Sequence, residues 1–317
     1  MQRRHFIAAS LAVASPLAAM AQPKTTRIVV SFPPGGPVDF VARALAEQLG
    51  KELGQTVVVD NKAGANGAIG ASEVMRAAPD GSTLWLTSVG AAAINGALYE
   101  KLAYDTARDF APVSLVVNNV ELLVVNPADP AKDAAEFVAN SRKKEPFAMA
   151  SSGIGSIPHL AIEQFADASG AKLLHVPYKG AAPAITDVMG GQVAGFFGDI
   201  PGLIGHVRAG KLRAIGLASS QRHPALPEVK TLAEQGFAGV DTNNWYALFA
   251  PAKTPAATIQ ALNDAVRRAL ANPGLKARLL DTGAEPAPST PAELSALLKR
   301  DSEKWARLIR DKKIRPE

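Results

Sequence analysis

The 317-residue chain contains no cysteine. That excludes disulfides, thiol catalysis and cysteine-ligated metals, and a chain this long needs no covalent staple because it can bury a large core. Histidine is scarce, five residues in all, and beyond His5 the remaining His159, His175, His206 and His223 show no metal-ligand spacing such as H-x-x-x-H. Aromatic residues make up only 6%. Charge of one sign is also lacking: 34 Lys and Arg against 29 Asp and Glu leave a net +5, of which Arg3 and Arg4 supply two. The densest basic groups, Arg142 to Lys144 and Arg310 to Arg315, fall at or near predicted helix ends, where cations offset the helix dipole. Nucleic acid and anionic membrane surfaces are therefore not expected partners. No stretch reaches the roughly 20 apolar residues of a membrane helix.

What is present begins with an export leader. Arg3-Arg4 precede an apolar run from Phe6 to Ala19 and the small-x-small triplet Ala19-Met20-Ala21, so residues 1–21 read as a signal peptide cleaved after Ala21. The paired arginines leave both general and twin-arginine export open. The mature chain, from Gln22, is expected to be soluble and outside the cytoplasm.

Strand-like and helix-like patterns alternate along the rest. Short apolar runs at 28–32, 57–60, 84–87, 122–125, 147–151, 173–176, 193–197, 212–218 and 245–249 alternate with helical stretches such as 38–53, 134–144, 157–168 and 182–189. Such alternation predicts an α/β fold with mainly parallel sheets and ligands at the carboxyl ends of strands. Two extended runs are interrupted or preceded by polar and glycine residues: 111–125, broken by Asn118-Asn119, and 241–249, after Gly236 and Gly239. Both are read as crossovers between two lobes. Lobe 1 then comprises 22–120 plus 245–317, and lobe 2 is the inserted 121–244. The C-terminal helices 256–271 and 291–314 pack back on lobe 1, the second opening on a capping box at Thr290-Pro-Ala-Glu293.

Two Gly/Ser-rich turns stand between a predicted strand and a predicted helix, one in each lobe: Phe32-Pro33-Pro34-Gly35-Gly36-Pro-Val-Asp39 and Ser151-Ser152-Gly153-Ile-Gly-Ser156. Helix starts with bare N–H groups hold an anion without a charged side chain, and two facing starts would clamp a small carboxylate. Asp39 would repel an anion, so it is expected to cap N–H groups and hold its loop. The serines serve as hydroxyl donors or as simple N-caps, and His159 in the following turn adds a donor or is structural. Further candidates are Ser88 at a strand end and the turn Tyr178-Lys179-Gly180, whose lysine pairs with a second acidic group of a ligand or is solvated. Asp199 receives a ligand hydroxyl or ammonium, or caps the next helix. Asn243, Asn244 and Trp245 on the second crossover touch ligand or hinge. Asn61 to Gly70 is glycine-spaced but lacks the G-K-[ST] of a P-loop and the G-x-G-x-x-G pattern.

The motifs Phe32 to Arg43, Asn61 to Gly70, Pro79-Asp-Gly-Ser-Thr-Leu84, Tyr178 to Ala184, Ala209 to Ala214 and Leu226 to Leu232 resemble, in order, the Bug family. These are the periplasmic solute receptors of tripartite tricarboxylate transporters. The resemblance implies a type II periplasmic-binding-protein fold: two α/β lobes joined by two crossing strands, with a carboxylate held between them by backbone groups and waters. It implies a periplasmic monomer that closes on its ligand by a hinge and delivers it to the membrane subunits of such a transporter. Val38 stands where many members carry a hydroxyl residue. No catalytic residue, metal or cofactor is expected, because Gly155-Ser156-Ile157 is no nucleophile elbow and no acid/base pair stands out. An exported enzyme using Ser151, Ser156 or Asp199, and a ligand-sensing adaptor, are the alternatives. Aliphatic di- or tricarboxylates rank slightly ahead of aromatic acids, for which Phe32, Tyr178 and Trp245 would supply cleft-facing rings, and acidic amino acids rank third.

Overall fold

The computed structural model describes residues 25–143 and 147–316. The predicted leader, residues 1–21, lies outside the described residues, as does Lys144 at the end of one basic cluster.

The chain runs through β1 (Thr25–Val30), α1 (Pro37–Leu53), β2 (Thr56–Asn61), α2 (Ala68–Met75), β3 (Thr83–Ser88), α3 (Asn95–Leu98), α4 (Thr106–Asp109) and β4 (Phe110–Asn118). It then passes into β5 (Glu121–Val125), α5 (Ala134–Ser141), β6 (Phe147–Ser151), α6 (Ile157–Ser169), β7 (Leu173–Pro177), α7 (Ala181–Met189), β8 (Gly195–Asp199), α8 (Ile200–Arg208) and β9 (Arg213–Leu217). It returns through β10 (Tyr246–Pro251), α9 (Ala256–Ala271), α10 (Pro273–Asp281), β11 (Glu285–Pro286) and α11 (Pro291–Lys312). The first sheet has the order β11-β4-β10-β3-β1-β2 and the second β7-β6-β8-β5-β9. We call the parts built on them lobe 1 and lobe 2.

The local reasons are plain in the sequence. α1 buries Val38, Val41, Ala42, Leu45, Ala46 and Leu49, a helical stripe, and stops at Gly54, which takes a left-handed φ of 62°. Ile28, Val29 and Val30 of β1 are all fully buried, as a central strand covered on both faces requires. On one face Ile28, Val30, Leu84 and Leu248 pack with α1 and α9. On the other, Val29, Trp85 and Phe249 pack with Trp305 of α11. Thr290 and Glu293 cap each other reciprocally at the start of α11.

The sheets are mixed, which corrects the expectation of mainly parallel sheets. β1 pairs in parallel with β2 and β3, and β6 with β7 and β8. β10 is antiparallel to β3 and β4, and β5 is antiparallel to β8 and β9. The cause is topological: β5 and β10 each enter a lobe from the other one. Tyr246, the first residue of β10, lies opposite Ser88, the last of β3, and Glu121, the first of β5, opposite Asp199, the last of β8. The carboxyl ends of β3 and β8 and the amino ends of the incoming strands thus meet at the gap between lobes. The two connections touch there through an isolated antiparallel bridge between Val120 and Asn243.

The lobes are in contact. Ile157 and Leu160 of α6 share an apolar cluster with Leu98 of lobe 1. Lys312 of α11 forms an ion pair with Asp167 of α6 and approaches Glu163 at 4.0 Å. Arg208 of α8 reaches Asp281 at 3.3 Å.

Candidate ligand-binding site

Between the lobes lies a small cavity of about 50 Å³. Of the sequence-predicted residues, Phe32, Pro33, Gly36, Ser88, Ser152, Ser156, Gly180 and Asp199 line it. The loop after β1 and the loop after β6 therefore do face each other, and the start of α7 joins them.

The helix starts at this cavity are short of side-chain caps. α1 begins after Gly36 and α7 after Gly180, and neither has a side-chain cap. α6 is capped by Ser156, whose Oγ accepts from the His159 N–H at 3.4 Å and donates to the Gly153 carbonyl at 2.7 Å. Uncapped first-turn N–H groups at the positive end of a helix dipole form an anion site. None of the residues lining the cavity is Lys, Arg or His.

Other predicted residues support the walls without reaching the cavity. Asp39 accepts from the Gly35 N–H at 3.0 Å, from Arg43 Nε at 2.9 Å and from Asn61 Nδ2 at 2.9 Å. Burial opposes its charge, yet the hydrogen bonds from Arg43, Gly35 and Asn61 prevail and hold its carboxyl below the usual range. It ties the first loop in shape while Pro34 and Gly35 stay exposed on its outer side. Ser151 is fully buried, with Oγ 2.6 Å from His175 Nε2, and it accepts from the Gly153 N–H at 3.1 Å. His159 accepts on Nδ1 from the Gly155 N–H at 3.1 Å, and its ring stacks on His175 at 3.7 Å. Burial, with a further contribution from His159, pushes His175 down to about 3.

Several expectations are corrected by position. Trp245 is fully buried, donating from Nε1 to Asp301 Oδ2 at 2.7 Å; just before β10, its ring joins Ala247 and Phe249 in the lobe 1 core. The Tyr178 ring packs on the lobe 2 core and its hydroxyl binds Asp187 at 2.6 Å, so only Phe32 of the three proposed rings lines the cavity. Lys179 is exposed and absent from the lining, whereas its neighbour Gly180 is buried beside Pro33. Asn243 is exposed on the crossover, within 3.4 Å of Asn118, and lies on the segments that join the lobes.

Asn66, Phe196 and Glu121, not singled out from the sequence, also contribute, and of the crossover candidates it is Asn244 that reaches the cavity. Asn66 lines the cavity, donates to the Gly155 carbonyl of lobe 2 at 3.2 Å, and takes a left-handed φ of 44° between Gly64 and Gly67. An asparagine between glycines in a turn is the one signal that would have marked it. Asn244 lines the cavity where Asn243 does not. Phe196 supplies an apolar wall from β8. Beneath them sit Glu121 and Asp199, side by side and buried; burial pushes Asp199 up to about 6 against hydrogen bonds from Tyr246, Glu121 and Asn244, and burial with the neighbouring Asp199 pushes Glu121 well above the carboxylate range.

Two α/β lobes joined by two crossing segments, with a cavity of helix starts between them, define a periplasmic-binding-protein fold. The chain belongs to the tripartite tricarboxylate transporter family receptors, whose family model matches residues 41–314. It is 35% identical over 306 residues to Protein BugT of Bordetella pertussis, covering 96% of this chain and 94% of that protein. Among solved structures, the periplasmic binding protein BugD matches with a TM-score of 0.87 at 33% identity, over 92% of this chain and 99% of that one. MatC from Rhodopseudomonas palustris with bound malate matches at 0.85 and 34% identity, over 90% and 98%. R. palustris Rpa4515 with adipate matches at 0.89 and 31% identity, over 92% and 98%.

Proposed function

We propose that this protein captures a small carboxylate between its lobes in the periplasm, closes on it, and hands it unchanged to the membrane subunits of a tripartite tricarboxylate transporter. The observation that carries this reading is the meeting of uncapped helix starts from both lobes, α1 and α7, at a cavity lined by Ser88, Ser152 and Ser156 and by no cation. Such a site takes one carboxylate by backbone and hydroxyl donors, and contacts to both lobes favour the closed state by as much as the ligand prefers it. The malate and adipate bound by its structural relatives are ligands of that chemical class. A catalytic reading finds little to work with: the close Ser151 to His175 pair faces away from the cavity, since Ser151 is fully buried and outside the lining.

The test is a thermal-shift and calorimetry panel on residues 22–317, freed of co-purified ligand by unfolding and refolding, with aliphatic and aromatic carboxylates, amino acids and sugars. A ligand at about 100 times its dissociation constant stabilises the folded state by roughly 2.7 kcal/mol. A shift with a carboxylate class, recovered chemically intact, supports the reading. A shift with sugars alone, or turnover of the bound acid, overturns it.

A further inference from the structure

The cavity has a donor side, formed by helix starts and serine hydroxyls, and a floor of the opposite character. Asp199 ends β8 and lies in register with Glu121, the first residue of β5. Glu121 is fully buried and Asp199 is 9% exposed. Asp199 Oδ2 accepts from the Tyr246 hydroxyl and from Asn244 Nδ2 at 3.1 Å, and Glu121 Oε1 lies 3.4 Å from the same Asn244 nitrogen. Although Asp199 occupies the N-cap position of α8, its side chain caps no N–H. Asp199 Oδ1 and Asn244 Oδ1 are buried with no hydrogen-bond partner, and both residues line the cavity. Among the described residues, no Lys, Arg or His bonds to either carboxyl.

Buried acceptors left without a donor are costly, on the order of 1–3 kcal/mol each. Two neighbouring carboxyls without a cation do not both ionise cheaply, so they hold a proton between them and bear at most one negative charge. The upward push on both acids by burial agrees with this. Beyond the proton the two acids share, the floor offers no O–H or N–H to Asp199 Oδ1 and Asn244 Oδ1. Asp199 and Asn244 line the same small cavity as the starts of α1 and α7, so a carboxylate held at the helix starts brings its neighbouring substituents to the floor.

We propose that Asp199, backed by Glu121 and Asn244, is the specificity-determining group of this cavity and selects 2-hydroxy or 2-amino carboxylates over the unsubstituted acids. The proposal rests on the carboxylate-receptor reading above and adds to it the chemistry of the neighbouring carbon. An acid with only CH₂ at that carbon leaves both oxygens desolvated and unpaired. A site built to bond a polar substituent rejects the analogue lacking it more strongly than an apolar pocket rejects an added one.

The experiment measures dissociation constants by calorimetry for matched sets: lactate, alanine and propionate; malate, aspartate and succinate; 2-hydroxyadipate, 2-aminoadipate and adipate; mandelate, phenylglycine and phenylacetate. In whichever set binds, the hydroxy or amino member is expected to bind about tenfold or more tighter than the unsubstituted acid. In Asp199→Asn that ratio is expected to collapse towards one, and Glu121→Gln, which alters the pair from behind, gives an independent reading if the first variant fails to fold. Equal affinities within the binding set, or an unsubstituted acid binding best, overturn the proposal while leaving the receptor reading in place. Preservation of the ratio in a folded Asp199→Asn also overturns it. Binding of no carboxylate in any set overturns both.

Discussion

Asn66 Nδ2 donates to the Gly155 carbonyl oxygen at 3.2 Å, joining the loop after β2 in lobe 1 to the loop after β6 in lobe 2 across the cavity mouth. The same amide group binds Asn95 Oδ1 at 2.9 Å, and Asn95 Nδ2 returns to the Asn66 carbonyl at 3.0 Å. A latch on a pre-braced side chain favours the closed arrangement with little ordering cost. Asn66→Gly keeps the left-handed backbone and removes the donor. It is expected to weaken carboxylate binding by about five- to tenfold, the worth of one partly buried hydrogen bond. Calorimetry checks this, and an unchanged affinity would show that the latch does not favour closure.

Glycines near the site divide into those that shape the cavity and those that the fold requires. A Cβ at Gly36 meets only the Pro33 carbonyl at 3.5 Å, and the backbone there has an ordinary φ of −82°. Gly36→Val is therefore expected to fold normally yet lose ligand binding, because its methyls occupy a small cavity beside the first turn of α1. A Cβ at Gly70 would lie 2.5 Å from Ser31 Oγ and 3.1 Å from Ser31 Cα. Gly70→Ala is expected to destabilise the protein by about 1–3 kcal/mol through overpacking. Urea denaturation of the two variants, set against their ligand affinities, separates the roles.

The sequence places Trp245, like Asn243 and Asn244, between a ligand and a hinge role. With Nε1 bonded to the buried Asp301 carboxylate, Trp245→Phe leaves a buried acceptor without its donor. The expected loss is about 1–3 kcal/mol of stability with carboxylate affinity unaltered. A large affinity change at intact stability would return Trp245 to the ligand site.

The pH dependence of stability has a component that one histidine should control. Burial, aided by the stacked His159 and opposed by Glu163, holds His175 at about 3 in the folded protein, while in the unfolded chain it titrates near 6.5. As pH falls below about 6.5 the unfolded chain takes up a proton that the folded protein refuses, so stability drops until about pH 3. The limit for one proton is about 1.4 kcal/mol per pH unit, reduced here because the ring is partly exposed to solvent. Asp199, raised to about 6, acts in the opposite sense: between its unfolded value near 4 and 6, stability falls as pH rises. His175→Gln is expected to flatten the decline in Tm between pH 7 and pH 5. An unchanged slope would mean that His175 takes up its proton equally in both states.

Much of the architecture was legible because it depends on local pattern. The apolar stripe of α1, the strand at 147–151, the helix at 256–271 and the capping box at Thr290 each follow from residues within a few positions of one another. The direction of β5 and β10 was not, because strand polarity depends on the lobe from which the chain arrives. The helix-start turns were likewise readable: Gly36, Ser152 and Gly180, which line the cavity, sit in turns whose composition announces a helix start.

The sequence by itself determined the class of protein, the two Gly/Ser-rich turns and, through the lack of cysteine, the exclusion of thiol chemistry, since these follow from composition, short-range spacing and ordered family motifs. Only the tertiary structure decided which side chains reach the cavity. Asp199 and Glu121 are 78 residues apart and become neighbours through an antiparallel register, Asn66 meets Gly155 across two lobes, and Trp245 turns into the core while Asn244, one residue earlier, faces the cavity. The physical reason is that these contacts join residues distant along the chain, and which side of a segment faces the cavity is fixed by the packing of the whole chain.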